Sequence, residues 1–422
     1  MASSVRARVS CLLDAVISHS PKNNSLSKGT CSVGTGILNG GVRHRAASHV
    51  ASRQSPVSSN TPNHLKTICG PVYQQCSHFT TTRPDLALMH QPGTLDGHHV
   101  QKPSDPAGLD LEEMFFDIKK ELKSQYDIEE IAKYYFDGQG KAVRPLITVL
   151  MSRAINHHVH GDGRLYESQL QIAKITEMIH TASLVHDDVI DDADIRRGKT
   201  SVNFLYGQRK AVMAGDYILS VASAMLARIR NEEVIVILSQ VLADLVQGEF
   251  MQLGSKENEN ARFAHYLKKS FKKTASLFAH SCKSVAVLSG ADETMQEIAF
   301  QYGRNIGLTL QIVDDLLDFV SSSSVLGKPA AADLKLGLAT APVLFACEKF
   351  PELNPMIMRR FQEPGDVERT LELVHKSDGL EQTHYLAQQH YQECLRIIKS
   401  ITPSVEQKAL VTIAGKILNR VK

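Results

Sequence analysis

The chain has no tryptophan, no Cys-x-x-Cys pair, no GxGxxG or Walker-type phosphate loop, and no run of 18 or more apolar residues. Each absence removes a class of protein. Seven cysteines are spread over 422 residues, four of them (Cys11, Cys31, Cys69, Cys76) before residue 90 and three (Cys282, Cys347, Cys394) far apart beyond it. That spacing supports neither a zinc knot nor a disulfide framework. Without a long apolar run, no transmembrane span is expected and any membrane contact is expected to be peripheral. The net charge is only +2, so bulk electrostatics give no support for a nucleic-acid partner. With 43% apolar and 22% charged residues, the composition is that of a globular protein large enough for a sizeable core.

Acidic residues are scarce at the start. Residues 1–90 hold nine Lys or Arg against two acidic residues, Asp14 and Asp85, a balance of +7 that leaves −5 for the remainder. Ser, Thr, His and Gly fill the segment, as in SHSPKNNSLSKGTCSVGTG. Most of it lacks the apolar surface to offset its ordering entropy. The first turns differ: Val5, Val9, Leu12, Leu13 and Val16 would form one apolar stripe on a helix flanked by Arg6 and Arg8. A leader of this kind resembles a mitochondrial transit peptide. We therefore expect a disordered leader over 1–90 and residence on the matrix side of the mitochondrion.

From about residue 105 to 422 the texture is helical. Apolar residues recur at helical intervals in YESQLQIAKITEMIHTASLVH, DYILSVASAMLARIR, EEVIVILSQVLADLVQGEFMQL and TMQEIAFQYGRNIGLTLQIVDDLLDFV. Polar breaks fall at HGDGR, GSKENEN, LSGADET and EPGD. The expectation is one all-α domain, a large bundle of at least ten helices whose central members are apolar on more than one face.

Two of these helices end in acid. LVHDDVIDDADIRRG carries Asp187, Asp188 and Asp191 as DDxxD, and LQIVDDLLDFV carries Asp314, Asp315 and Asp318 in the same spacing. Residues i and i+4 share a helix face, so Asp187 and Asp191 point one way, as do Asp314 and Asp318. The middle aspartate of each set sits about 100° round. Like charges so placed destabilise a bare helix, so each set needs a cation. Hard oxygen donors at this spacing suit Mg²⁺, which binds through a few carboxylates plus substrate phosphates. All six aspartates are expected as metal ligands. A two-metal nuclease shares the charge pattern, but the apolar approach to each acidic tip argues against it.

Basic residues stand nearby: Arg196 and Arg197 after the first set, Lys328 and Lys335 after the second, Lys141 and Arg144 in GKAVRP, and Lys272 and Lys273 in FKKTASLF. Arginine suits bidentate phosphate binding and lysine supplies a compact charge. His180 precedes Asp187 by two helical turns and shares its face. His186 is assigned to orientation or packing.

Together these stretches resemble the trans-isoprenyl diphosphate synthase family, from GKAVRP through both DDxxD sets to RRFQEPGDVERTLELV at 359–374. Within it the chain is most similar to the long-chain branch that makes the ubiquinone side chain. The likeness is strongest to the catalytic subunits of animal mitochondrial decaprenyl diphosphate synthases, which pair with a related subunit lacking intact acidic motifs. The resemblance implies a Mg²⁺-dependent prenyltransferase in a heteromer, acting on isopentenyl diphosphate and an allylic diphosphate such as farnesyl diphosphate. By motif, Asp187, Asp188 and Asp191 would hold metal on the allylic diphosphate, and Asp314, Asp315 and Asp318 would face them. Lys141, Arg144, His180 and Arg197 would hold isopentenyl diphosphate. Arg196, Lys273, Thr274, Gln311 and Lys328 belong to the allylic side, with Lys335 a further member. Two departures stand out: Leu310 replaces a common phenylalanine, and GKPAAADLKLGLATAP differs from commoner forms in its small residues.

Ala182 and Ser183 lie five and four residues before Asp187, where short-chain relatives carry bulky aromatics. They are expected to leave an open shaft, lined deeper by Met178, Ile179 and Ile175. A geranylgeranyl-type synthase and a non-catalytic partner subunit remain as alternatives. A terpene cyclase is disfavoured by two symmetric DDxxD sets. All six aspartates are present, which a non-catalytic subunit would not need.

Overall fold

The structure is a computed structural model that describes residues 111–138, 140–253, 262–320 and 331–421. The leader over 1–90, with its expected amphipathic stripe, and Lys328 lie outside the described residues.

The described chain is helical except for one two-stranded antiparallel ribbon, β1 (Ile195–Arg196) and β2 (Lys199–Thr200). Before it come α1 (Leu111–Glu121), α2 (Ile128–Lys133), α3 (Val143–His160) and α4 (Glu167–Ile190). After it come α5 (Val202–Tyr206), α6 (Gln208–Arg228), α7 (Glu232–Leu253) and α8 (Arg262–Ser270). A π-helical turn over Phe271–Ala275 joins α8 to α9 (Ser276–Leu288), and α10 (Glu293–Val320) follows. The remaining helices are α11 (Ala332–Lys335), α12 (Ala341–Lys349), α13 (Leu353–Met358), α14 (Asp366–Lys376), α15 (Gly379–Ile398) and α16 (Val405–Leu418).

Helix α4 is the centre of the bundle. Every residue from Ile172 to Ile179 is buried, as a helix enclosed on all sides requires. It packs on α3, α6 and α9. Lys174 is buried within this run, and its ammonium reaches Asp117 Oδ2 on α1 at 2.6 Å. Helix α10 packs against α9 and α15. Its approach to the π turn needs Gly307, because a Cβ there would lie 2.5 Å from Ala275 Cα. The largest apolar cluster joins α3, α4, α9 and α10, and Leu310 packs against it.

The expectation of no membrane span meets two helices, α6 and α7 (over Glu232–Gln252), that are long and apolar enough to cross a bilayer by length and composition. Both are partly buried in the bundle. Their apolarity reflects a buried face on one side and, on the other, exposed Met213, Val236, Val246 and Phe250.

Candidate functional site

Helices α4 and α10 deliver their acidic ends to one cavity of about 470 Å³. Asp187, Asp191, Asp314, Asp315 and Asp318 line it, with Arg144, His180, Ser183, Arg196, Lys273, Thr274 and Gln311. Sequence spacing places each set on its helix, and tertiary packing brings the two sets to one space.

The six aspartates are not equivalent. Asp187 and Asp191 are half-buried and neither side chain has a hydrogen-bond or ion-pair partner among the described residues. Burial pushes the Asp187 carboxyl up to about 6, with Lys273 opposing and Glu249 and Asp191 adding to the rise. Asp191 is raised for the same leading reason. Asp188 is different: it is fully buried. Its Oδ1 accepts from Arg196 Nε at 2.6 Å, with Arg196 Nη2 at 2.5 Å, and its Oδ2 accepts from the Tyr135 hydroxyl at 2.8 Å. Tyr135 in turn accepts from the Val202 N–H at 3.2 Å.

The second set divides the same way. Asp315 is buried and accepts from the Tyr266 hydroxyl at 2.6 Å and from Gln311 Nε2 at 2.7 Å. Asp318 receives the backbone N–H groups of Ala332 at 3.1 Å and Asp333 at 3.0 Å. Asp314 faces outward and pairs with Arg420 Nη1 at 2.7 Å. Burial raises its carboxyl, and Arg420 opposes that shift most.

Three of the six therefore present open oxygens, or one held by a surface arginine, while Asp188, Asp315 and Asp318 have theirs committed. A carboxylate offers roughly four acceptor positions, and protein donors already take three at Asp188 and two each at Asp315 and Asp318. What remains suits a hard divalent cation: carboxylate oxygens only, with buried charge that nothing in the protein fully offsets. Among the described residues, no three carboxyl or imidazole groups converge into a ready-made cage.

The basic groups also sort by position. Arg144 stacks its guanidinium over the Phe278 ring at 4.9 Å and reaches His180 Nε2 at 3.0 Å. Arg197 Nη2 approaches the same nitrogen at 3.4 Å. Two guanidinium donors on one imidazole nitrogen make it an acceptor, so His180 is neutral with its proton on Nδ1. Burial first, then the guanidiniums, hold its pKa well below the ordinary range. Burial also lowers Arg144 to about 10, while the buried Glu177 carboxylate raises it. Thr274 donates to Gln311 Oε1 at 2.5 Å, so these two and Asp315 form one chain of hydrogen bonds.

Other expected residues fall elsewhere. Lys141 is exposed and off the cavity wall, though its charge is felt by Asp314. Lys335 is exposed and does not line the cavity. Ser183 lines the cavity, whereas Ala182 is fully buried in the main core. Ile175 and Ile179 face a separate apolar cavity of about 100 Å³ lined also by Leu219, Leu226, Leu238 and Leu242 from α6 and α7. Met178 is core and does not line it. His186 lies against the carbonyl of Val212 on α6 at 3.2 Å, an orienting contact.

Sequence reasoning missed Tyr135, Tyr266, Glu249, Gln252 and Arg420. The tyrosines and Arg420 carry no local signal. Glu249 and Gln252 had one, a polar i, i+3 pair in QGEFMQL at the end of an apolar helix.

The polyprenyl synthetase family profile matches residues 125–374. Human all-trans-polyprenyl-diphosphate synthase PDSS1 is 54% identical over 367 residues, which is 86% of each chain. Decaprenyl-diphosphate synthase subunit 1 of Schizosaccharomyces pombe is 43% identical over 74% of this chain and 90% of its own length. Among solved structures, a polyprenyl synthase from Caulobacter crescentus, complexed with calcium and isoprenyl diphosphate, superposes with a TM-score of 0.67 at 30% identity. The match covers 76% of this chain and 95% of that one.

Proposed function

The chain belongs to the polyprenyl synthetase family, and on that premise we propose how its site makes a long all-trans polyprenyl diphosphate. The enzyme adds isopentenyl diphosphate units to an allylic diphosphate such as farnesyl diphosphate, and the product is the side-chain precursor of ubiquinone. One observation carries the reading: carboxylates from two helices share a cavity with Arg144 and His180, and Arg197 approaches the same His180 nitrogen.

Asp187, Asp191 and Asp314 would hold Mg²⁺, which supplies charge neutralisation for the departing diphosphate. Asp188 anchors Arg196 beside that diphosphate, and Lys273 adds a second positive charge. Arg144 and Arg197 receive the diphosphate of isopentenyl diphosphate, and neutral His180 aligns them by accepting from both. With charge stabilised at the leaving group, the allylic C–O bond breaks and leaves a delocalised cation. The isopentenyl double bond then forms the new C–C bond. A proton departs to the released diphosphate. The apolar walls keep water from the cation. The tail descends past Ser183 toward Ile179 and Ile175.

The exposed apolar side chains of α6 and α7 support assembly with a second chain of the same fold, and we assign that place to a related subunit without intact acidic motifs. The basic leader supports import into the mitochondrion, with the enzyme on the matrix side.

The test is a product-length assay with labelled isopentenyl diphosphate, farnesyl diphosphate and Mg²⁺, with and without the related subunit. Products of about nine or ten isoprene units that require the partner are expected from the resemblance to the long-chain branch, and they would support this reading. Short products from the chain alone would move the assignment to a geranylgeranyl-type enzyme.

A further inference from the structure

A seventh carboxylate stands at the first acidic face, outside both aspartate sets. Glu249, near the end of α7, has a side chain with 13% exposure, and its Oε2 lies 2.6 Å from Lys273 Nζ. The contact is an ion pair without hydrogen-bond geometry, because Oε2 has no hydrogen-bond donor. Gln252 Oε1, one turn further along α7, accepts from the same ammonium at 3.2 Å. Gln252 Nε2 reaches back to Glu249 Oε1 at 3.4 Å.

The backbone is shaped around this contact. Lys273 sits in the π-helical turn Phe271–Ala275. Single π turns alter side-chain direction and recur at functional sites. The turn lies close against α7 at Gly248, where a Cβ would meet Lys273 Cγ at 2.8 Å and Lys273 N at 3.1 Å. Lys272, its neighbour, is held apart from the site by Asp244 at 2.7 Å and by Gln247 at 2.8 Å. The two adjacent lysines thus have separate carboxylates on one helix.

Lys273 has an alternative. It lines the same cavity as Asp187 and Asp191, and its charge opposes the rise of both carboxyls. Untethered, the ammonium would settle on those carboxylates and compete with a divalent cation.

We propose that Glu249 is a positioning residue that holds Lys273 off the Asp187–Asp191 face until metal and diphosphate arrive. The tether is electrostatic and lacks hydrogen-bond geometry, so it releases when the stronger diphosphate charge appears. This inference rests on the synthase reading above.

The test uses the full chain in whatever assembly condenses isopentenyl diphosphate. Glu249→Gln should raise the Mg²⁺ concentration for half-maximal rate about fivefold, the scale of one close charge coupling. The KM for isopentenyl diphosphate should stay within about twofold, because Arg144 and Arg197 do not touch the tether. The same Mg²⁺ shift should appear without turnover, in the titration of melting temperature by Mg²⁺ with inorganic pyrophosphate. In a Lys273→Met background, Glu249→Gln should shift neither midpoint further. An unshifted midpoint in Glu249→Gln overturns the proposal. So does an equal shift with and without Lys273, which would mean that Glu249 acts on the metal directly. If Glu249→Gln does not fold, Glu249→Asp, with a shorter reach, should shift the midpoint in the same direction, and no shift there counts against the tether. An inert wild type would remove the synthase reading, while the pyrophosphate titration would still decide the tether.

Discussion

Adjacent aspartates on α4 do opposite work. Asp188 is sealed between Arg196 and Tyr135, whereas Asp187 has no partner among the described residues. Asp187→Asn should therefore abolish most turnover and leave the melting temperature unchanged or higher. Asp188→Asn should lower stability by about 3 kcal/mol, the scale for breaking one side of a buried ion pair. Circular-dichroism melts beside a condensation assay separate the two, and equal melting losses would contradict the division.

The pH response follows from the same residue. The Asp187 carboxyl is raised to about 6 in the folded protein from an ordinary value of 3.8. A raised acid favours the protonated folded form, so its contribution to stability is complete below about pH 4 and is lost as pH rises through 6. Mg²⁺ reverses this by binding the ionised form. The stabilisation conferred by Mg²⁺ with pyrophosphate should grow between pH 5 and pH 7, and calorimetric scans across that range read it. A Mg²⁺ increment that stays flat from pH 5 to pH 7 would argue against this assignment.

At the scale of elements, the floor of the site is set by which face of α4 a residue occupies. Ser183 lines the cavity and Ala182 is packed into the core. Ser183→Phe should shorten the product with little change in stability. Ala182→Phe, which sequence position alone would nominate equally, should destabilise by about 1–3 kcal/mol through overpacking. Product chromatography and thermal melts on both variants check this. Shortened products from a fully stable Ala182→Phe protein would put the shaft on the other face.

For the whole molecule, α6 and α7 carry both the wall of the small apolar cavity and exposed apolar side chains. Val246 and Phe250 are 58% and 71% exposed and lie one turn apart on α7. We propose this pair as part of the interaction face. Phe250→Asp should weaken association with a second chain at least tenfold, measured by sedimentation, while the isolated fold keeps its helix content. An unchanged sedimentation profile would place the interface elsewhere.

Much was legible in the linear chain. Helical periodicity and polar breaks identify an all-α bundle, because amphipathic spacing is local. The i, i+4 carboxylates identify a metal and diphosphate chemistry, because one turn of helix sets their common face. Tertiary structure alone decided which oxygens remain available. Asp188 accepts from a tyrosine 53 residues away, Asp315 from one 49 residues away, and Asp314 is paired with an arginine 106 residues away. The same holds for Lys273, whose tether to Glu249 comes from another helix. Spacing can put a carboxylate on a face, but its acceptor positions are filled by whatever the fold packs against it, and those donors leave no mark on the local pattern.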